Sequence, residues 1–348
     1  MFLTAFGGIT YADFNDGWVA SEEGDYKTAF NEWKPLADQG DADAQHNLGW
    51  MYGNGRGVLK DYKQAVKWYQ KAADQGDADA QYNLGWMYGK GRGVLKDYKQ
   101  AVKWYQKAAD QGYAGAQLNL GVMYANGKGV LKDDKQAVKW YRKAADQGHT
   151  SAQYNLGWMY DTGTGVLKDE KEAAKWYQKA ADQGNASAQY NLGVMYDNGK
   201  GALKDYKQAA KWYQKAADQG FARAQFNLGV MYANGEGVLK DDKQAVKWFR
   251  KAADQGGAEA QFMMGNLYNS GDAVDRDHLK AFKFWTLASD QGHSEAQGKL
   301  AGMYIHGISV EKDMSKAKEL IEKLYANDDI DISNRAKKVW DKFELWKY

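Results

Sequence analysis

Several features that would define common classes of protein are missing from this chain. It contains no cysteine, which excludes disulfide frameworks, thiolate zinc sites and thiol nucleophiles. The single proline, Pro35, and the lack of linker-like runs leave no obvious boundary between domains. No stretch approaches the roughly 18 apolar residues of a membrane-spanning helix. A net charge of only +2 favours neither nucleic-acid binding nor a strongly acidic chaperone.

A 36-residue unit in eight consecutive copies fills most of the chain instead. In every copy position 4 is Ala, position 5 is Gln, position 12 is Tyr, position 15 is Gly and position 21 is Asp. A fixed period in this range is the signature of a stacked array, in which each unit buries its apolar face on the next. We therefore expect one elongated body that works by surface recognition. Position 1 of the copies is Asp41, Asp77, Tyr113, His149, Asn185, Phe221, Gly257 and His293.

Each copy has the pattern of a helical hairpin, as the second copy, Asp77–Gly112, illustrates. Apolar residues from Ala80 to Tyr88 recur at helical spacing and predict a first helix about 12 residues long. Asp97 followed by Gln100 is a capping-box pattern that predicts the start of a second helix, and the closing glycine predicts its end. Gly85 at position 9 lies inside the first helix, where glycine costs about 1 kcal/mol relative to alanine. Its recurrence predicts that two helices cross closely at this point.

Stacked hairpins predict an all-α fold, a right-handed superhelical solenoid (an α-α superhelix) with the first helices lining its inside. The second helices would form the outside. Small residues such as Ala101 and Ala108 would let these helices approach their neighbours. Trp104 and Tyr105 are expected to fill the space between units, which explains the high tryptophan content.

The run AQYNLGWMYGKGRGVLKDYKQAVKWYQKAADQG, residues 80–112, resembles the Sel-one-like repeat (SLR) family, which is related to the tetratricopeptide repeats. The resemblance covers residues 41–328 as eight repeats. Residues 13–40 are interpreted as an N-terminal capping half-repeat and residues 329–348 as a C-terminal capping helix, because terminal units of such arrays serve as caps. The resemblance implies a non-enzymatic scaffold or adaptor. Its bacterial relatives serve in envelope regulation, secretion or host contact, and its eukaryotic relatives in protein degradation complexes.

The first twelve residues, MFLTAFGGITYA, are apolar and small and resemble the end of a secretory signal, although a basic start is missing. We interpret residues 1–12 as the remnant of a signal peptide, which predicts a periplasmic or secreted protein. The alternative is a short capping segment on a cytoplasmic protein.

Positions 3, 6, 10 and 13 vary most between the copies and share one stripe of the first helix, here called the first-helix stripe. In the tetratricopeptide arrays that the chain resembles, the equivalent stripe lines the concave groove and contacts the ligand. Aromatic rings at positions 6 and 10, with asparagine at position 7 beside them, suit an extended peptide or protein segment through stacking and amide hydrogen bonds. The candidate groove residues are His46, Asn47, Trp50, Tyr82, Asn83, Trp86, Asn119, Tyr154, Asn155, Trp158, Tyr190, Asn191, Phe226 and Asn227.

Three alternatives stay open at this point. The rings could pack between successive first helices, with each asparagine satisfying a neighbouring backbone group. The same rings could instead stack on a glycan or peptidoglycan. The run from Ser309 to Lys312 matches the Ser-x-x-Lys motif of penicillin-binding proteins and β-lactamases, but it has no SDN or KTG companion. We therefore expect no catalytic residue, no metal site and no cofactor, and neither nucleic acid nor a membrane span among the interactions.

Overall fold

The computed structural model describes residues 12–326 and 329–348. Within these residues the protein forms nineteen α-helices and one short 3₁₀ turn and contains no β-strand. The expected all-α solenoid of stacked helical hairpins is therefore confirmed. The chain divides into two compact units, of which the first ends at Trp176 and the second begins at Tyr177.

In the first unit a hairpin of two helices precedes the repeats, and every repeat contributes one hairpin. The helices are α1 (Phe14–Glu22), α2 (Tyr26–Gln39), α3 (Ala42–Asn54), α4 (Tyr62–Asp74), α5 (Ala78–Lys90), α6 (Tyr98–Asp110), α7 (Ala114–Asn126), α8 (Asp134–Asp146), α9 (Thr150–Thr162) and α10 (Glu170–Asp182), whose last residues belong to the second unit.

The second unit continues the same alternation and closes with one additional helix. Its helices are α11 (Ala186–Asn198), α12 (Tyr206–Asp218), α13 (Ala222–Asn234), α14 (Asp242–Asp254), α15 (Ala258–Ser270), α16 (His278–Asp290), α17 (Ser294–His306), α18 (Met314–Tyr325) and α19 (Ile330–Lys342), followed by the 3₁₀ turn Leu345–Lys347.

The ends of the second helices follow from the local sequence. Asp97 caps α6, because its Oδ1 accepts hydrogen bonds from the backbone N–H groups of Lys99 and Gln100 at 2.8 and 3.1 Å. A capping box also predicts that the Gln100 side chain accepts from the N–H of Asp97, and this part of the prediction is wrong. The N–H of Asp97 donates to the carbonyl of Tyr88 at 3.0 Å and so connects α6 to α5. Gly112 follows α6 with a φ of +93°, in the left-handed region that favours glycine.

The glycine at position 9 of the first helix, which seven of the eight copies carry, makes room for an aromatic ring, as the second copy illustrates. A Cβ atom on Gly85 would lie 2.8 Å from Cδ1 of Tyr105, on the second helix of the same hairpin. Real Cβ atoms do not approach other atoms so closely, so only glycine fits beside this ring. The expected close crossing of the two helices is confirmed, since the same Cβ atom would also lie 3.2 Å from the carbonyl oxygen of Ala101, and the ring of Tyr105 explains why the residue is glycine.

Adjacent aromatic residues on a second helix belong to two different core clusters. Trp104 is 4% exposed and packs with Leu84 of its own hairpin and with residues of the preceding repeat. Tyr105 is equally buried and packs with Leu120 of the next repeat. The prediction that these rings fill the space between units is confirmed. Truncating such a buried tryptophan to alanine costs about 3–5 kcal/mol.

The glutamine at position 5 joins three helices through a buried network. Gln81 is 4% exposed, and its Nε2 donates to the carbonyl of Ala73 at 3.1 Å. Its Oε1 accepts from Nε2 of Gln111 at 2.8 Å, and that nitrogen also donates to the carbonyl of Gly76 at 2.8 Å. A buried amide must find such partners, which explains why every copy keeps this residue.

Candidate functional site

The position-6 rings of the first-helix stripe lie half-buried between successive repeats. The ring of Tyr82 has its centroid 5.9 Å from that of Tyr105 in its own hairpin and 5.0 Å from that of Tyr113 in the next repeat. Tyr190 makes the same two contacts, with Tyr213 at 5.9 Å and Phe221 at 5.1 Å. Part of each ring therefore packs between repeats, as the structural alternative requires, and the rest stays accessible to a ligand.

The asparagines at position 7 face side chains of the preceding repeat. Nδ2 of Asn83 lies 3.2 Å from Nε2 of His46. Burial raises the pKa of Tyr105 well above its ordinary value, and a hydrogen bond from Asn119 opposes that shift in pKa. The structural alternative expected asparagine to satisfy a backbone group, whereas these two amides meet a ring nitrogen and a hydroxyl. Each amide keeps further hydrogen-bonding capacity for a ligand.

Two of the predicted tryptophans line one pocket, here called the Trp50–Trp86 pocket. It has a volume of about 280 Å³ and is also lined by Tyr82, Asn83 and Arg92. Four of the fourteen candidate residues therefore meet at one place, contributed by α3 and α5. Ring faces and an amide side by side can receive an apolar side chain together with the backbone that carries it.

A cationic group completes this pocket. The guanidinium of Arg92 lies 5.0 Å from the ring centroid of Trp86 and 5.2 Å from that of Tyr62. Its Nη1 also donates to the Tyr62 hydroxyl at 2.8 Å. A hydrogen bond with Lys60 lowers the pKa of Tyr62, and the positive charge of Arg92 adds to this effect. The pocket is thus biased toward ligands that carry carbonyl or carboxylate oxygens as well as apolar surface.

A second pocket in the other unit gathers three more candidate residues. Tyr190, Phe226 and Asn227 line a cavity of about 350 Å³ together with Gly257, and we call it the Phe226–Gly257 pocket. The remaining candidates belong to neither pocket, and among them Trp158 is notable because it is 44% exposed. Ligand binding by all fourteen residues stays a prediction. The candidates outside the two pockets are His46, Asn47, Asn119, Tyr154, Asn155, Trp158 and Asn191.

Sequence reasoning missed a larger pocket near the C-terminus. This cavity of about 580 Å³ is lined by Gly298 and Gly302 of α17 and by Val339 and Phe343 at the chain's end. The two glycines occupy positions 6 and 10 of the last copy, where every other copy carries a larger side chain and several carry rings. Their small size was the available signal, because a missing side chain leaves space between helices.

A row of exposed leucines was also missed. Position 19 in the connector of the first six copies is leucine with about 90% of its surface exposed. The last two copies carry Asp275 and Glu311 there, so the hairpin does not need an apolar residue at this position. These leucines are Leu59, Leu95, Leu131, Leu167, Leu203 and Leu239.

The other candidate chemistry lies apart from these pockets. Ser309 and Lys312 are both exposed on the connector between α17 and α18, and Ser309 has a left-handed φ of +58°. Among residues 12–326 and 329–348, no group of three or more histidine and carboxylate side chains is arranged to hold a metal ion. None of the helices in that part of the chain combines the length and apolar character needed to cross a bilayer.

The stacked hairpins and their first-helix stripe define an α-solenoid repeat protein. Comparison with protein families then identifies the kind of repeat, and the chain belongs to the Sel1 repeat family. The resemblance inferred from the sequence is thereby confirmed. The signature described as Sel1 repeat matches residues 42–77, 78–113, 114–149, 150–185, 186–221, 222–257, 258–293 and 294–329.

Solved structures support the same assignment. The chain is 39% identical to a protective antigen present in uropathogenic Escherichia coli strains that displays an SLR fold, with a TM-score of 0.83. That match covers 90% of this chain and 67% of the antigen. A Sel1 repeat protein from Oxalobacter formigenes is 34% identical, with a TM-score of 0.61, over 70% of this chain and 96% of that protein. A search of curated proteins found no match.

Proposed function

We propose that this protein is a non-enzymatic scaffold or adaptor whose first-helix stripe binds an extended segment of a partner protein. Proteins built from Sel1 repeats are typically scaffolds for protein interactions. The observation that carries the proposal is the Trp50–Trp86 pocket, where two indole rings, an amide and a guanidinium meet.

The chemistry of this pocket matches a polypeptide. Trp50 and Trp86 offer apolar faces to a side chain, and the Asn83 amide can donate to or accept from the backbone beside it. Arg92 favours a carbonyl or carboxylate oxygen at the same point. Further rings recur along the stripe at the period of the repeat, so a long segment could engage several weak contacts at once. Linked contacts of this kind raise affinity without requiring any one site to be tight.

The test compares three forms of the protein in affinity capture from cell extract and envelope fractions. One variant carries Trp50→Ala, Trp86→Ala and Trp158→Ala. The matched control carries Leu59→Ala, Leu95→Ala and Leu167→Ala, which changes exposed residues of the same three repeats. Envelope fractions are included because we propose a signal remnant at residues 1–12, of which 1–11 lie outside the described residues.

Circular dichroism must first show that all three forms are equally helical. We expect a partner to bind the wild type and the leucine control with similar affinity and to bind the tryptophan variant much more weakly. Titration with the purified partner measures the loss of affinity. Equal affinity for the tryptophan variant would contradict the proposal. If soluble muropeptides quench tryptophan fluorescence and no protein partner is retained, the ligand of the stripe is a glycan and not a peptide.

A further inference from the structure

Aromatic rings of neighbouring repeats pack against each other in pairs, each made of position 6 of one repeat and position 1 of the next. Within each unit these pairs lie at the turn where a new hairpin begins. Their centroid distances are typical of aromatic pairs in contact, with ring planes tilted by 34°, 36° and 27°. The complete pairs are Tyr82–Tyr113, Tyr190–Phe221 and Phe262–His293, with centroids 5.0, 5.1 and 4.5 Å apart.

Three position-6 rings have no ring opposite them at position 1 of the next copy, since His46 is followed by Asp77, Tyr154 by Asn185 and Phe226 by Gly257. Among these only the Phe226–Gly257 pair, here called the incomplete pair, has no side chain at all in the second place. Phe226 occupies position 6 of the sixth copy, but position 1 of the seventh copy is Gly257, which has no side chain. The Phe226–Gly257 pocket, of about 350 Å³, opens beside these two residues. The backbone does not demand a glycine here, because Gly257 has φ −64° and ψ 114° whereas Phe221 has φ −69° and ψ 105°. The missing ring therefore leaves space that the other pairs fill.

Position 3 supplies a polar partner to the edge of the second ring. In one complete pair Nε2 of His293 lies 3.0 Å from Oε2 of Glu259, and in another the hydroxyl of Tyr113 hydrogen-bonds to Asp79. At the incomplete pair, position 3 is Arg223, which lines the pocket. A guanidinium can donate a hydrogen bond to the edge of a ring or lie over its face.

We propose that the Phe226–Gly257 pocket binds an aromatic side chain, foremost a tyrosine, presented by a segment of the partner protein. The protein's own pairs show which group this space accepts, since a ring occupies the equivalent place in each of the three complete pairs. Phe226 supplies the stacking face, and Arg223 supplies a donor that a phenolic oxygen can accept. This inference deepens the proposed function and rests on it for the identity of the ligand as a polypeptide.

The first experiment uses p-cresol, which reproduces the tyrosine side chain, and follows the methyl resonances of Ala252 and Ala260 that line the pocket. Gly257→Phe restores the missing ring and should weaken p-cresol binding by about tenfold or more. Gly257→His introduces the residue that the last copy carries at position 1 and serves as a second variant of the same kind. Phe221→Gly removes a ring from a complete pair and should create a second p-cresol site beside Tyr190.

Two outcomes would overturn the pocket assignment. In the first, the Ala252 and Ala260 resonances of the wild type do not respond to p-cresol. In the second, Gly257→Phe binds p-cresol as tightly as the wild type does. The captured partner is then titrated against folded Gly257→Phe, with an expected loss of about tenfold in affinity. Undiminished partner binding would show that no side chain of the partner occupies this pocket. Failure of the proposed function has a different signature: the tryptophan variant keeps its partner, while p-cresol still binds.

Discussion

The fit between the interior glycine and the aromatic ring beside it leads to a prediction that reverses the usual effect of a substitution. Replacing a glycine inside a helix by alanine ordinarily stabilises the helix by about 1 kcal/mol. In Gly85→Ala, the new methyl group would lie 2.8 and 2.9 Å from two ring carbons of Tyr105 and 3.2 Å from the carbonyl of Ala101. The Tyr105 side chain is 4% exposed and has little room to move.

Forcing a methyl group into a packed core costs about 1–3 kcal/mol. Contacts to both the ring and the backbone place Gly85→Ala in the upper part of this range, so it should exceed the gain in helix propensity. We expect a net loss of about 1–2 kcal/mol in the free energy of unfolding. The same helix offers a matched control in Gly89, where a Cβ atom would lie 3.7 Å from the nearest side-chain atom. Gly89→Ala should therefore stabilise the protein by about 0.5–1 kcal/mol.

The last copy of the repeat suggests how to rescue the damaging variant. It carries Ala301 at position 9, and Ile321 replaces the aromatic residue at position 29. Gly85→Ala combined with Tyr105→Ile should cost less than the two single changes added together. Urea denaturation followed by circular dichroism, with hydrogen exchange of α5 and α6, measures each variant. If Gly85→Ala stabilised the protein as much as Gly89→Ala does, the inference of a closed contact with the ring would be wrong.

Two further predictions concern buried polar groups. Gln81→Leu removes the partner of the Ala73 carbonyl and of the Gln111 amide, and should cost about 1–3 kcal/mol in urea denaturation. Gln70→Leu, whose bond to Asp74 is exposed, should change stability by less than about 0.5 kcal/mol, and an equal loss in both would refute the buried network. Burial, and then the charge of Asp134, raises the pKa of Tyr141 to about 12, against about 10 in an unfolded chain. The stability that this tyrosine contributes is complete below pH of about 10 and is lost as pH rises toward 12, so absorbance at 295 nm should show delayed ionisation of buried tyrosines followed by alkaline unfolding. Ionisation of every tyrosine near pH of about 10 in the folded protein would contradict it.

The fold could be predicted well because the same helix-start and helix-end signals recur in copy after copy of the repeat. Aspartate at position 21 and glycine at position 36 mark the ends of the second helix, and in the second copy Asp97 is the N-cap of α6 while Gly112, with its left-handed φ, follows the C-cap Gln111. The capping-box pattern predicted the N-cap at Asp97 correctly, but it was wrong about the partner of the Asp97 N–H group. The N–H of Asp97 bonds to Tyr88 across the hairpin, and a pattern confined to one helix contains no information about that partner.

The candidate site was less predictable, for a related reason. Helical periodicity places Tyr82 and Trp86 on one stripe, and the structure brings both to the Trp50–Trp86 pocket. The contact between Tyr82 and Tyr113 joins residues almost a whole repeat apart, and it depends on how one hairpin stacks on the next. Periodicity within a single helix cannot reveal it. The contribution of Arg92 was missed for the same reason, because it lies in a connector whose path the helical pattern does not describe.

Two pockets of the second unit lie where a copy carries glycine in place of a larger side chain that other copies have. Gly257 takes the place of a ring at position 1, and Gly298 and Gly302 take the places of larger residues on the stripe. The backbone at Gly257 is nearly the same as at Phe221, so the hairpins stack alike whether or not the ring is present. Near-identical copies can thus acquire different binding pockets without changing the fold. Exchanging glycine and aromatic residues between copies should accordingly move a pocket along its unit, and the paired changes at Gly257 and Phe221 test this directly.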